Sequence, residues 1–547
     1  MQGELLATSC LTNNWCNQMY RFSYKLWQSN GETLESSGER VLEALRKGKE
    51  ISASPGETLP SGPDVANRCY QQLAHSYEEE YGGFREAPKF PSPVNLMFLM
   101  SFWAVKRASS EGAEALQMAL HTLRMMVLGG IHDHVAQGFH RYSTDSSWHV
   151  PHFEKMLYDQ GQLAVAYITA YQVGMYACTL CIRALLPDIV EGAAGGATQG
   201  DISIHPYGVK EQGNVDPAQV WESEGQNVLI VRYSVELTAA HFGISVDRLS
   251  ELLSDARAKL AKVRKARPPP HLDTKMLASW YGLMLSGFAR VGAVLGDKAL
   301  LERAERAACF LREHKWDEEG QSILHSCYRG NNMEVDASPI AGFLDDYAFV
   351  VCRLLDLFEA TQRVCWLQWA EGLQLRQDQL FWDSQGSGYF CSDPLRSDAD
   401  GAEPSANSVS AMNLLRLSHL TGWQDWIQRS QQLLTAFSDR LIKVPIALPD
   451  MVHSVMAQYY TLKQIVICGQ PDAEDTASLI SCVNSLFLPH KVLMLADGNT
   501  EGFLYQRLPI LSSLVPQDGK ATAYECENFA CALPVTCPQE LRRLLLE

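Results

Sequence analysis

The sequence predicts a mainly α-helical fold of stacked helical hairpins, an α/α toroid or solenoid, followed by a small α/β unit. Three observations predict it. Apolar residues recur near a 3.6-residue period in segment after segment. The loops between paired segments repeat a glycine–aromatic pattern, YGGF at 81–84 and SGYF at 387–390. The character then changes near residue 464, where short apolar runs flank one helical stretch.

Taken in order, residues 21–47 read as a polar helix with its tail, and Ser52 to Asp64 as a linker rich in Pro, Gly and Ser. Helices are expected over Val65–Glu80, Pro93–Arg107, Ala113–Leu128 and Phe153–Tyr171. They resume over Thr274–Leu295, Lys298–His314, Phe343–Thr361, Trp366–Leu380, Ser408–Leu420 and Trp423–Leu441. In the segment 343–361 the apolar stripe is Leu344, Tyr347, Ala348, Val351, Leu354, Leu355 and Phe358. Strands are expected at 464–468, 491–496 and 521–526, with helices at 473–486 and 538–546. The division is therefore 1–63 helical remnant and linker, 64–463 toroid, 464–547 α/β unit. The basic run Arg257 to Arg267 ends at three prolines and reads as a solvated helix C-terminus. GAAGGATQG at 192–200 has no core-forming period.

The 547 residues carry a formal charge of −17. A surface of that sign repels phosphate backbones, so nucleic-acid binding is not expected. No stretch is long and apolar enough to span a membrane, and no membrane association is read. The N-terminal run lacks a basic region followed by an apolar one, so no signal peptide is read and a cytoplasmic chain is expected. Fifteen cysteines are scattered along the chain, which fits a reducing compartment better than a disulfide scaffold. Cys178 and Cys181 form a CxxC without a second pair or a preceding strand, and Cys526, Cys531 and Cys537 read as small buried apolar residues.

The richest chemistry lies between Gly129 and Gln160. Five of the 15 histidines fall between His132 and His152, among Asp133, Asp145, Glu154 and Asp159 and interleaved with Phe139, Tyr142 and Trp148. Aromatic rings stack on sugar C–H faces, while histidines and carboxylates bond hydroxyls and move protons. A polyol or sugar site is the leading reading. Structural loop packing and a metal site on the pairs His132/His134 and His149/His152 are the competing ones, although the HExxH spacing is absent. Asp345 and Asp346 open one helix, and Glu403 and Asn407 precede another. Each of these fits dipole compensation or capping as well as a site role.

Long runs of the chain carry a resemblance. They are YEEEYGGF at 77–84, APKFP at 87–91, GGI at 129–131, QGFHRY at 137–142, WHVPHFEKMLYD at 148–159, DTKMLA at 273–278, FLDDY at 343–347, DGAEPSANS at 400–408 and ATAY at 521–524. These are similar to signature runs of the thioredoxin-domain, six-hairpin glycosidase-like family, over roughly 21–173 and 220–547. The resemblance implies a thioredoxin-like domain followed by an (α/α)6 toroid similar to those of sugar 2-epimerases and six-hairpin glycosidases. It also implies association with sperm development and fertility, with mammalian members often taken to be secreted.

The chain departs from that pattern in three places. It lacks a match to the thioredoxin-like domain, it loses the pattern at about 174–219, and it has Tyr281 where relatives have Asn. The toroid is therefore expected to be incomplete. The candidates for acid–base work are His149, His152, Glu154, Asp345, Asp346 and Glu403, and those for sugar contact are Trp148, His140, Tyr142 and Asn407. No metal and no cofactor is expected. The two function classes are a sugar-binding or sugar-converting toroid, epimerase- or glycosidase-like, in a fertility role, and a non-catalytic scaffold that binds a protein partner.

Overall fold

The computed structural model describes residues 58–174, 207, 209–210, 212–215, 226–269, 272–329, 335–337, 340–390, 399–527 and 530–546. The helix read at 21–47, the CxxC of Cys178 and Cys181 and the run 192–200 lie outside the described residues, as does most of 174–219.

Helices alternate between two layers along the chain. In order they are α1 (Gly62–Ser76), α2 (Pro93–Val105), α3 (Ser110–Leu128), α4 (Leu157–Gln172), α5 (Val235–Phe242), α6 (Val246–Lys265), α7 (Ala278–Leu295), α8 (Lys298–His314), α9 (Leu344–Thr361), α10 (Val364–Phe381), α11 (Ala406–Thr421), α12 (Gln424–Ala436) and α13 (Pro449–Tyr459). α2, α4, α7, α9, α11 and α13 each pack on the next, and α13 packs back on α2. The inner ring of six is closed. α1, α3, α8, α10 and α12 form the outer layer against it. The fold is thus an (α/α)6 toroid, and the expected incompleteness does not extend to the inner ring.

Sequence explains which helices lie inside. α2, PVNLMFLMSFWAV, is apolar on every face, and α4, α9 and α11 are buried almost all round. α8 and α12 are amphipathic, with buried stripes such as Leu300, Ala304, Ala308 and Leu311. Side-chain caps fix several starts: Ser109 accepts from Gly112 N, Asp297 from Ala299 N and Leu300 N, and Ser405 from Ser408 N. α4 and α7 approach closely because both carry glycine at the crossing. A Cβ on Gly161 would stand 2.6 Å from the Leu283 carbonyl, and one on Gly287 would stand 3.3 Å from the Gly161 oxygen.

The first helix after the histidine-rich loop begins at Leu157, not at Phe153, because Tyr142–Ser143 pairs with Pro151–His152 in a short antiparallel ladder. Residues Lys275–Leu277, expected as the start of α7, instead pair with Ser326–Arg329. Both departures place a strand just ahead of an inner helix and so shape the same end of the ring.

The C-terminal residues form a four-stranded sheet in the order β2-β1-β3-β4, from β1 (Lys463–Cys468), β2 (Lys491–Ala496), β3 (Thr522–Glu527) and β4 (Ala530–Cys531). β1 runs parallel to β2 and antiparallel to β3. The helix α14 (Glu474–Asn484) joins β1 to β2, and α15 (Pro538–Leu546) packs beside it over Ile465, Ile467, Leu479, Leu493 and Leu541. The β3–β4 register sets Cys526 opposite Cys531, and they form a disulfide. That corrects their reading as two unlinked apolar residues.

This sheet is fixed to the ring. Gln172, the last residue of α4, donates to the Asn484 and Leu486 carbonyls at 2.7 and 3.0 Å. Leu495 N donates to Gln362 Oε1 at 2.8 Å, and Lys491 pairs with Glu359 of α9.

Candidate functional site

The N-terminal ends of the inner helices meet at one mouth of the ring. Tyr158 and Asp159 lie in the first turn of α4, Ser279 and Trp280 in that of α7, and Asp345 and Asp346 in that of α9. Glu403 lies in the loop ahead of α11. The indole of Trp280 donates to Glu403 Oε1 at 2.9 Å and meets Tyr158 edge-on at 5.1 Å. Tyr158 bonds Arg141, which pairs with Glu154 at 3.0 Å. A continuous polar and aromatic chain thus runs from Glu154 through Arg141, Tyr158 and Trp280 to Glu403.

Asp159 is buried beside this chain, and its Oδ2 has no hydrogen-bond partner. Burial, and then the charge of Glu403, push its carboxyl well above the usual range. A carboxyl held neutral next to a carboxylate can give a proton while its neighbour takes one.

Asp346 is also fully buried, but it is saturated. It accepts from Phe343 N at 2.9 Å, from Ser279 N at 3.1 Å and from His325 Nδ1 at 2.8 Å. It acts as helix cap, as a bolt between α7 and α9, and as the orienting partner of a histidine. Its hydrogen bond to Nδ1 fixes the ring so that Nε2 is the group left for chemistry. Asp345 is half-buried in the same turn.

The remaining sequence candidates spread over different surroundings. Trp148 is fully buried, donates to the Tyr81 carbonyl at 2.9 Å and has Lys89 Nζ 5.3 Å from its ring centre, so it presents no face to a ligand. His140 is buried against Phe153, and burial pushes its pKa down to about 3. His149 is half-buried and lowered by burial, in a loop that Asp145 organises by accepting from Ser147, His149 and Val150. His152 is half-exposed, stacks on Tyr142 at 4.8 Å, and sits 3.6 Å from Glu154. Asn407 is buried and bonds both backbone polar groups of Tyr389, which makes it a clamp on the 382–389 hairpin.

The histidine cluster therefore divides. His152 and Tyr142 adjoin the mouth through Glu154. His132, His134 and His140 line a separate cavity of about 50 Å³ under α6. There Asp133 bonds Lys155 at 2.8 Å and Arg264 at 2.7 Å. Burial raises Asp133, but these two cations outweigh it and hold the carboxyl well below its usual range. Arg264, read as part of a solvated helix end, is instead committed to a buried ion pair. Among the described residues no group of three or more His, Cys, Asp or Glu is placed to hold a metal ion, and no helix is long and apolar enough to cross a membrane.

Below the mouth the ring encloses a channel with a cavity of about 210 Å³. Gly161, Gln162 and Pro404 line it near the mouth, and Asn484 and residues 486–489 line its far end. Its wall carries an ion-pair network that the sequence did not single out. Asp356 takes Arg290 at 3.0 Å, Arg416 at 2.9 Å, Arg353 at 3.3 Å and the Ser286 hydroxyl at 2.5 Å. Arg416 also reaches Glu359 at 2.7 Å. Burial raises Asp356, but the three guanidiniums hold it well below the carboxylate range. Asp400, ahead of α11, accepts from Ser405 N, Ser408 Oγ and Asp450 N at 2.7, 2.9 and 2.8 Å. Burial and the charge of Asp450 push it up, and burial raises Asp450 against the pull of Arg353 and Arg290.

No family model matches the chain. Among solved structures, a GH76 α-mannanase of Bacteroides thetaiotaomicron overlays at a TM-score of 0.45 with 10% identity, over 73% of this chain and 96% of that one. The cellobiose 2-epimerase of Bacillus thermoamylovorans overlays at 0.42 with 12% identity, over 67% and 85%. Overlaps of that quality carry no functional weight. Sequence relatives are far nearer. The spermatogenesis-associated protein 20 of Homo sapiens is 50% identical over 580 aligned residues, covering 95% of this chain and 74% of the relative. That of Rattus norvegicus is 48% identical over the same shares. An uncharacterized protein of Caenorhabditis elegans is 31% identical, over 95% of this chain and 78% of its own length. With half its residues shared over nearly its whole length, the chain belongs to the spermatogenesis-associated protein 20 family.

Proposed function

We propose that the mouth of the toroid binds a sugar and carries out acid–base chemistry on it, in the setting of sperm development that the relatives' name indicates. The observation that supports this most is the pairing of Asp159 with Glu403. Asp159 is held neutral by burial and serves as proton donor; Glu403, positioned by Trp280, serves as proton acceptor. Trp280, backed by the buried Tyr158, offers a ring face to sugar C–H groups, and Arg141 and Glu154 offer hydroxyl partners. His325, oriented by Asp346, is a further proton carrier on the α7–α9 side. Hydrolysis would use Asp159 on the leaving oxygen and Glu403 on water. Epimerisation would use two such groups on opposite sugar faces.

The test is a thermal-shift screen of the purified chain against mono- and oligosaccharides, followed by turnover assays. A selective rise in melting midpoint, together with sugar turnover that Glu403→Gln abolishes, supports the reading. A cooperative melt with no sugar-dependent shift sinks it. Solvent-deuterium incorporation into recovered sugar, against release of new reducing ends, separates epimerisation from hydrolysis.

A second reading, a non-catalytic scaffold, is favoured by one observation. Leu237 of α5 and Val246, Leu252 and Val263 of α6 expose apolar side chains. On that reading Leu237→Asp and Val263→Asp lower co-purification of a protein partner, and Glu403→Gln leaves it unchanged.

A further inference from the structure

The channel beneath the mouth is richer in cations than its ion pairs require. Arg290 of α7, Arg353 of α9, Arg416 of α11 and Lys491 of β2 all line it. Only Asp356 and Glu359 are committed to them as carboxylates. Arg416 is spent on both, and only 7% of its side chain is exposed. Arg290 holds Asp356 through Nε at 3.2 Å and Nη2 at 3.0 Å, yet 37% of its side-chain surface stays open on the outer, Nη1–Nη2 edge of the guanidinium. Arg353 has two long contacts, 3.3 Å to Asp356 and 3.4 Å to Ser286, and its buried Nε has no partner.

The third acidic group facing these arginines, Asp450, is the one burial drives toward its neutral form. Four cations therefore face three carboxyl groups, Asp356, Glu359 and Asp450, a surplus that the burial of Asp450 increases. An excess of positive charge on largely buried side chains is costly unless an anion offsets it.

Size and shape narrow the ligand. About 210 Å³ falls below the ~300–1,000 Å³ typical of pockets for drug-sized molecules, so one small molecule fits and a polymer does not. Asn484 and residues 486–489 line the end away from the mouth. The wall between the arginines and the mouth mixes Val165, Leu283 and Met412 with Gln162 and Thr169, which suits a ring that is polar at its edge and apolar on its face.

We propose that the channel holds a single sugar bearing one anionic group, a carboxylate or a phosphate monoester, with the anion against Arg290 and Arg353. A guanidinium presents paired donors that match either group bidentately. The ten residues from Trp280 to Arg290 span about 15 Å along α7, so the anion sits deep and the sugar extends toward the mouth. The inference rests on the sugar reading of the mouth and names its ligand class.

The experiment is calorimetric titration of the purified full chain with glucuronate, glucose 6-phosphate and glucose. One of the two anionic sugars is expected to bind at least about tenfold tighter than glucose, and which one does so distinguishes carboxylate from phosphate. Arg290→Gln removes that preference, and Arg290→Lys keeps part of it because the charge remains. A cooperative melt of each variant shows that it is folded. Glucose binding as tightly as both anions, no binding of either anion, or an Arg290→Gln chain that binds the anion like the parent overturns the proposal. Glu403→Gln separates the two readings. It spares anion binding while abolishing turnover if both hold. Anion binding without any turnover sinks the mouth reading alone, and turnover of neutral sugars without anion preference sinks this one alone.

Discussion

The indole N–H of Trp280 lies 2.9 Å from Glu403 Oε1, so the first turn of α7 holds the carboxylate that precedes α11. Trp280→Phe keeps an aromatic ring against Tyr158 and removes only the donor. Turnover is expected to fall by about tenfold while stability changes by about 1 kcal/mol, the worth of one hydrogen bond. Steady-state assays beside chemical denaturation check it. Equal losses in both would mean that the pair is structural.

Arg416 ties Asp356 to Glu359 in the interior of the ring. Arg416→Met leaves two buried carboxylates short of a partner and is expected to cost ~3–5 kcal/mol. Adding Glu359→Gln to that variant removes one uncompensated charge and recovers part of the loss. Urea midpoints of the parent, the single and the double variant measure both steps.

Acid stability is set by histidines that fold neutral. Burial pushes His453, on the channel wall, down to about 4, and pushes His490, 5.0 Å away ring to ring, far below its usual value. A histidine lowered in the folded state contributes stability that is complete above the unfolded value of about 6.5 and is lost as pH falls toward the folded one. The midpoint in urea is therefore expected to drop between pH 6.5 and 4. His453→Gln, which cannot titrate, flattens that drop. A parent whose midpoint is constant over this range contradicts the burial argument.

Gly161 sets the spacing of α4 and α7. Its added Cβ would collide with the Leu283 backbone, which has no flexible end to yield. Gly161→Ala is expected to cost ~1–3 kcal/mol by overpacking and to weaken sugar binding, because Asp159 and Trp280 ride on the two helices it separates. Gly372→Ala, with open space at its Cβ on the outer helix α10, serves as the control and is expected to be neutral or mildly stabilising.

Much of this architecture was legible from periodicity. α8 at Lys298–His314, β2 at Lys491–Ala496 and α15 at Pro538–Leu546 fall where the apolar pattern put them. Glu403 was legible as a carboxylate ahead of a helix, and Glu154 as one beside the clustered histidines. What the pattern could not express was convergence. Trp280 and His325 look like ordinary aromatics until the ring brings α7 and α9 to one mouth. Arg290, Arg353, Asp356 and Arg416 sit on three separate helices and read one by one as solvated charges, because charge on a helix usually faces water. Trp148 misled for the opposite reason: on an apparently polar loop it reads as a ligand platform, but the loop folds inward at that residue, which adopts a φ of 60° and is fully buried. Cys526 and Cys531 meet only through strand register, which spacing alone does not fix.

The seat of residues 484–489 against Gln172 has a consequence for biosynthesis. All six inner helices precede these residues in the chain, so the ring is synthesised before the segment at its base. Residues 484–489 and Lys491 take their places at its base only after these segments have emerged, when Gln172 bonds Asn484 and Lys491 meets Glu359. A chain that stops before residue 484 would keep all six inner helices yet lose these lining residues and Lys491, one of the cations that face the cavity.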